Sequence, residues 1–126
     1  MIAQVDQART SAMARQFGWI FTIDELTVYV TLSRHQEPAR AYLLRTKFDE
    51  FTRRAPSYTF VDVATKQETP SACPPNVMHS ESKICTPGTR EFHESLHQND
   101  AQYPWDPDKY TYLSTVRMIH RLMNQT

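Results

Sequence analysis

Cys85 is the residue whose type and setting most clearly indicate chemistry. It ends a short, mostly polar run, residues 76–85, and lies between a proline-rich turn and the Trp105-Asp106-Pro107 segment that precedes a helix-like stretch. That order predicts a thiol on a loop. An exposed thiol can act as a nucleophile, whereas a buried cysteine behaves as a small apolar residue. The thiol alone leaves both roles open for Cys85, and the motifs on either side of it favour a catalytic nucleophile.

A second pattern with chemical meaning is His-Glu-x-x-His, formed by His93, Glu94 and His97. On a continuous helix this spacing places two imidazoles on one face, where they can hold zinc beside a glutamate that acts as general base. Such a site needs a further ligand from elsewhere in the chain. The available candidates are Asp100, Asp106 and His120. The pattern raises a zinc-dependent hydrolase as a minor alternative function.

The residues around this pattern argue against a long helix. Gly88 precedes it and the polar run 98–100 follows it, which leaves room for about two helical turns. We expect a short helix or flap beside Cys85 instead. There His93 or His97 would orient an acceptor or tune the thiol, so both histidines are expected at the active site.

Metal and cofactor sites are not expected in this chain. Cys73, His79, Cys85 and His93 could in principle surround a zinc ion, but their spacings match no zinc-finger pattern and prolines crowd the segment. The two cysteines permit one disulfide, and two free thiols are favoured in a reducing compartment. Phosphate-cradling loops need several glycines, and the chain has two, so we predict no bound nucleotide cofactor.

The composition predicts one globular domain, residues 1–126, and excludes some partners. Hydrophobic residues make up 40% of the chain and aromatic residues 11%. The 14 acidic and 14 basic side chains balance, so the chain lacks the basic field that nucleic acid or an anionic membrane surface requires. No apolar run is long enough for a bilayer, and the amino terminus lacks the order of a secretion signal. We expect a soluble cytoplasmic protein with no nucleic-acid or membrane partner.

The spacing of apolar residues predicts the elements that position Cys85. Residues 2–17 carry the stripe of an amphipathic helix, and Gly18 suits the left-handed residue that ends it. Stretches rich in β-branched and aromatic residues then predict four strands, over residues 19–23, 27–32, 41–48 and 57–63. Short connections between them favour an antiparallel meander.

A long irregular region, residues 64–104, follows the fourth strand and holds both cysteines. Loops of this length in a compact domain are often functional. A final helix is predicted after it, with Asp106 as N-cap and Pro107 as first helical residue. Its buried face is expected to carry Tyr112, Leu113, Val116, Ile119 and Met123. This order of elements predicts an α+β fold with helices packed on one sheet.

Four features, in this order, resemble the ubiquitin-conjugating enzymes. Residues 40–48 resemble the third strand of that family, and residues 55–60 resemble its proline-led fourth strand. Pro75-Asn76-Val77 and then Lys83-Ile84-Cys85 resemble its His-Pro-Asn segment and active-site Ile-Cys. Trp105-Asp106-Pro107 resembles the Trp-x-Pro that opens the following helix.

The resemblance spans roughly residues 19–123. Pro74 stands where the family usually has histidine, and the interval between Cys85 and Trp105 is longer than usual. The layout is similar to that of small, truncated relatives from bacterial conjugation systems.

The resemblance implies a UBC-like α+β fold: an N-terminal helix, a four-stranded antiparallel meander, a long active-site loop and a C-terminal helix packed on the sheet. It also implies a cysteine acyl transferase. Cys85 would accept a ubiquitin-like modifier protein as a thioester from an activating enzyme and transfer it to an amine on a target protein. No cofactor is implied in this chain. A role in a bacterial antiviral defence system extends this expectation.

The family's other site residues map onto Asn76 and Asp106. The Asn76 amide would donate to the oxyanion formed when an amine attacks the thioester, or would serve as a turn residue. Asp106 would help to deprotonate the incoming lysine, although a helix cap is its favoured role. A catalytically inactive binding module with the same fold is the remaining alternative, and the cysteine at the matching position favours the enzyme.

Overall fold

The structure, a computed structural model, describes residues 1–75, 77, 84–94 and 104–125. In chain order the described elements are α1 (Ile2–Arg9), α2 (Ala12–Phe17), β1 (Ile20–Asp24), β2 (Thr27–Arg34), β3 (Glu37–Lys47), β4 (Ser57–Val61), the 3-10 turn η1 (Pro70–Ala72), α3 (Arg90–His93) and α4 (Tyr112–Met123). The fold is α+β, as the sequence predicts. Among the described residues, no helix is both long and apolar enough to cross a membrane.

The N-terminal helical segment is two helices, so the prediction of one helix over residues 2–17 was wrong. Hydroxyl groups interrupt it: Thr10 Oγ1 donates to the Asp6 carbonyl oxygen at 2.8 Å, and Ser11 Oγ accepts from Ala14 N at 3.1 Å. Ser11 is extended and caps α2, because its side chain competes with the backbone for hydrogen bonds. Gly18 ends α2 in the predicted left-handed conformation, with φ of 66°.

The four strands form one antiparallel sheet in the order β1-β2-β3-β4, which confirms the predicted meander. Val30 on β2 pairs with Leu44 on β3, and Leu44 pairs with Phe60 on β4. All three side chains are fully buried, so this row lies in the core. Strand β3 begins earlier than predicted, because Glu37 pairs with Arg34 directly across a tight turn.

One face of the sheet carries the core, and every second residue from Tyr42 to Phe48 points into it. Its inward row is buried at Tyr42, Leu44, Thr46 and Phe48. Helices α1 and α4 contact each other, α4 contacts β2, and the buried side chains of these elements join one hydrophobic cluster. Burial of this cluster is the main source of stability for the sheet that supports the Cys85 loop.

Helix α4 begins later than predicted, and Asp106 is not its N-cap. The helix starts at Tyr112, and Thr111 Oγ1 accepts the capping hydrogen bond from Ser114 N at 3.1 Å. The Asp106 carbonyl oxygen instead accepts from Tyr110 N at 2.9 Å and so closes a separate turn. The prediction failed because Asp-Pro also suits the start of a turn. The buried face is confirmed, since its predicted residues are buried or packed against the core.

Candidate functional site around Cys85

Cys85 lies on a loop between two anchored neighbours. Ile84 is fully buried in the core and Thr86 is buried as well, whereas Cys85 is partly exposed. Neither Ile84 nor Cys85 belongs to a helix or strand. The loop is therefore held against the core by its neighbours, while part of Cys85 stays open to solvent.

The two thiols differ in accessibility. Cys73, directly after η1, is 7% exposed, and burial raises the pKa of its thiol to about 11. Burial also raises the pKa of the Cys85 thiol, and the negative charge of Glu91 raises it further. Both thiols are therefore mostly protonated at neutral pH, and Cys85 is the one that a reactant can reach.

Helix α3 carries a carboxylate, Glu91, whose charge acts on the Cys85 thiol. Thr89 caps the helix: its hydroxyl accepts a backbone hydrogen bond from the first turn at 3.1 Å and donates to the Thr86 carbonyl oxygen at 2.9 Å. Glu91 lies in that turn, where Ser57 Oγ on β4 donates to its Oε1 at 3.0 Å. Glu91 is partly exposed as a residue, although its Oε2 is buried, and its charge acts on the Cys85 thiol. The fold thus fixes the position of an acidic group whose charge acts on the thiol.

The loop after Cys85 is pressed against α4. Gly88 has φ of 101°, and a Cβ at this position would fall 3.1 Å from Thr115 Cβ and inside van der Waals contact of Thr115 Oγ1. The Gly88 N–H donates to His93 Nε2 at 3.1 Å. The His93 side chain is 1% exposed, and its ring centroid lies 4.7 Å from that of Tyr110 and 5.6 Å from that of Trp105.

These contacts make His93 a residue that positions the Cys85 loop. Because Nε2 accepts the Gly88 hydrogen bond, the structure uses a His93 ring that is unprotonated at that nitrogen. A side chain buried to this degree offers no surface to an acceptor in the described arrangement. The catalytic role expected for His93 stays a prediction, and positioning is the role that its contacts support.

The connection between β3 and β4 holds α3 in place. Arg90 donates from Nε to the Ala55 carbonyl oxygen at 2.9 Å and forms a salt bridge with Asp49 at 3.1 Å. Arg54 makes a two-point contact with Glu94, with Nε to Oε2 at 2.9 Å and Nη2 to Oε1 at 2.6 Å. Hydrogen bonds from Arg54 are the main cause that lowers the pKa of Glu94. Both ends of α3 are therefore tied to this connection.

Trp105 contacts the β3–β4 connection, and Asp106 forms a local turn. The Trp105 indole N–H donates to the Thr52 carbonyl oxygen at 2.8 Å, on the same connection that holds α3. Asp106 Oδ1 accepts from Asp108 N at 2.9 Å, a local turn contact. The charge that acts on the Cys85 thiol is that of Glu91. The acid–base role expected for Asp106 therefore stays a prediction without a supporting contact.

The His-Glu-x-x-His pattern does not continue along α3. That helix ends at His93, Glu94 is its C-cap, and the Glu94 carboxylate is held by Arg54. Within the part of the chain that the structure describes, no three of its His, Cys, Asp and Glu residues are grouped to hold a metal ion. The expectations for Asn76, His97, Asp100 and His79 fall on residues outside the described ranges.

Glu91 is the functional candidate that the sequence analysis missed. A signal for it is present in the chain, because a threonine followed closely by an acidic residue is typical of a helix start. Recognising Thr89 as a cap would have predicted a short helix with Glu91 in its first turn, close in sequence to Cys85. The pairing with Ser57 on β4 could not be read from sequence spacing.

Comparison of the chain with protein-family models and with curated proteins finds no significant match.

Proposed function

We propose that this chain is a conjugating enzyme with a UBC-like fold, which carries a ubiquitin-like modifier protein as a thioester on Cys85. The observation that carries the proposal is the contrast between the thiols: Cys85 is partly exposed on an anchored loop, and Cys73 is buried. The four-stranded meander, with α4 packed on it, is compatible with the family that the sequence motifs resemble.

The reaction begins with transfer of an acyl group between sulfur atoms. Cys85 loses its proton, and its sulfur attacks the thioester carbonyl that joins the modifier to an activating enzyme. The new carbon–sulfur bond forms, the bond to the activating enzyme's sulfur breaks, and that sulfur takes up a proton. Because one thioester replaces another, the enzyme supplies positioning more than driving force.

The second step transfers the modifier to an amine. The amine nitrogen attacks the thioester carbonyl, the carbon–nitrogen bond forms, and the carbon–sulfur bond to Cys85 breaks. The nitrogen must lose a proton, and we assign its acceptance to Glu91, the carboxylate whose charge acts on the Cys85 thiol. We assign this base role to Glu91 in preference to Asp106, whose contacts are those of a turn.

The raised pKa of Cys85 suits a carrier of acyl groups. A thiolate of higher pKa is a poorer leaving group, so the thioester is less readily broken by chance nucleophiles. The same raised pKa lowers the thiolate fraction at neutral pH, which favours the second candidate, a UBC-like binding module without catalysis. Adduct formation distinguishes the two candidates.

The test mixes the protein with its activating enzyme, modifier and ATP, then separates the products with and without reductant. We expect an adduct that reductant removes, that is absent in Cys85→Ala and that persists in Cys73→Ala. An adduct that persists in Cys85→Ala and is lost in Cys73→Ala would assign the chemistry to Cys73 and contradict the proposal. Binding of the modifier with no adduct in any variant would support the binding module.

A further inference from the structure

The outer face of α4 lines an open groove of about 690 Å³. The exposed residues of the helix follow one another at helical spacing, and all of them line the groove: Ser114, Arg117, Met118 and Arg121. Met13 and Phe17 of α2 form part of the apolar wall, and Pro87, close to Cys85 in sequence, lies at the lining as well. The groove therefore connects the α2 side of the molecule to the segment that carries the thiol.

The groove has an excess of positive charge. Its lining holds Lys109, Arg117 and Arg121 and contains no Asp or Glu among the described residues. Most other arginines of the chain are paired with a carboxylate, namely Arg9, Arg34, Arg40, Arg45, Arg53, Arg54 and Arg90. Within the described ranges, neither Arg117 nor Arg121 forms such a pair. In a chain whose formal charge is zero, these two arginines give one face of α4 a local positive charge, which a ligand that carries carboxylates would complement.

An apolar side chain lies between the two arginines. Met118 is 37% exposed, although most large apolar residues of α4 are buried. Arg117 and Arg121 stand one helical turn apart, about 6 Å along the axis. A helix that presents carboxylates at the same spacing, with an apolar residue between them, would match both the charges and the exposed methionine.

We propose that this groove docks an acidic amphipathic helix of a partner protein, held by Arg117, Arg121 and Met118. Nucleic acid fits less well, because the cations are confined to one narrow face of a chain with balanced charge. The proposal does not depend on the reaction at Cys85, and its test needs no conjugation step.

The test measures binding of a fluorescent helical peptide of about 16 residues, with Glu at every fourth position beside Leu. We expect binding that weakens as salt is raised, and no binding of the same peptide with Lys in place of Glu. The double variant Arg117→Glu/Arg121→Glu should weaken binding about tenfold or more, and Met118→Ser should weaken it about threefold.

The matched control is Arg9→Glu/Arg53→Glu, which changes the net charge equally at exposed arginines outside the groove. It should bind the acidic peptide within about twofold of the parent protein. Equal loss in the two double variants would overturn the proposal, as would a dissociation constant above about 1 mM for the parent protein. Tighter binding of a single-stranded oligonucleotide through Arg117 and Arg121 would also overturn it and assign the groove to nucleic acid.

Discussion

Gly88→Ala is expected to destabilise the protein strongly, because two separate costs meet at this position. Its φ of 101° lies where L-residues are strained, at about 1–2 kcal/mol. The new methyl group would also overlap Thr115 on α4, and such overpacking costs about 1–3 kcal/mol. Together they give about 2–5 kcal/mol, and a domain of this size loses roughly 3–5 °C in melting temperature per kcal/mol.

The matched control is Gly18→Ala. Gly18 also has a positive φ, of 66°, but a Cβ there would meet nothing within 4 Å, so only the backbone cost of about 1–2 kcal/mol applies. Thermal and urea unfolding of both variants measures the difference. Adding Thr115→Ala to Gly88→Ala should recover about 1 kcal/mol or more relative to the sum of the single effects. Equal destabilisation by the two glycine variants, with no recovery, would refute the close contact between the Cys85 loop and α4.

Three further predictions concern charge and capping. Glu91→Gln removes the negative charge that acts on the Cys85 thiol, so the pKa of the thiol should fall and the pH midpoint of its alkylation by iodoacetamide should move to lower pH. Burial, and then the charge of His35, lower the pKa of His120, so its neutral form is favoured in the folded state. The stability that comes from burying neutral His120 is therefore complete above the ordinary histidine pKa of about 6.5. It is lost as the pH falls through the lowered pKa of His120 in the folded protein. His120→Leu should flatten the decline in unfolding free energy between about pH 7 and pH 5. Thr111→Ala removes the cap of α4 and should cost about 1 kcal/mol in urea unfolding.

Two of these predictions have a matched control. Asp6→Asn removes an exposed carboxylate on α1 and should leave the alkylation midpoint of Cys85 unchanged. Ser11→Ala removes the cap of the short helix α2 and should cost a similar amount to Thr111→Ala. An unchanged midpoint in Glu91→Gln, or a pH profile that His120→Leu leaves as steep as before, would contradict the assigned causes.

The sequence predicts the sheet well because alternation is a strong local signal. Tyr42, Leu44 and Phe48 alternate along the chain and are buried on one face, which indicates a strand packed on the core. Short turns then favour antiparallel neighbours, so the two signals together predict the meander. The helix ends were predicted less well. Other residues near Ser11 and Thr111 are also suited to cap a helix. Which of them becomes the cap depends on tertiary contacts with residues far away in sequence.

The candidate site was predictable at Cys85 and less so around it. Motif order indicated a loop thiol, and the structure places Cys85 on a loop with partial exposure. Glu91 is the carboxylate whose charge acts on the Cys85 thiol. Its position depends on how α3 packs against β4, and sequence spacing does not reveal that packing. The burial of His93 likewise results from the packing of Tyr110 and Trp105 around it.

Transfer of an acyl group to Cys85 is the central claim, and a synthetic peptide thioester tests it directly. The folded protein is incubated with the thioester at neutral pH, and the modified residue is identified by mass spectrometry under non-reducing conditions. We predict an acyl adduct on Cys85 that forms in Cys73→Ala, is absent in Cys85→Ala and is released by an added thiol. An unmodified Cys85 in a folded protein, or an adduct confined to Cys73, would contradict the claim.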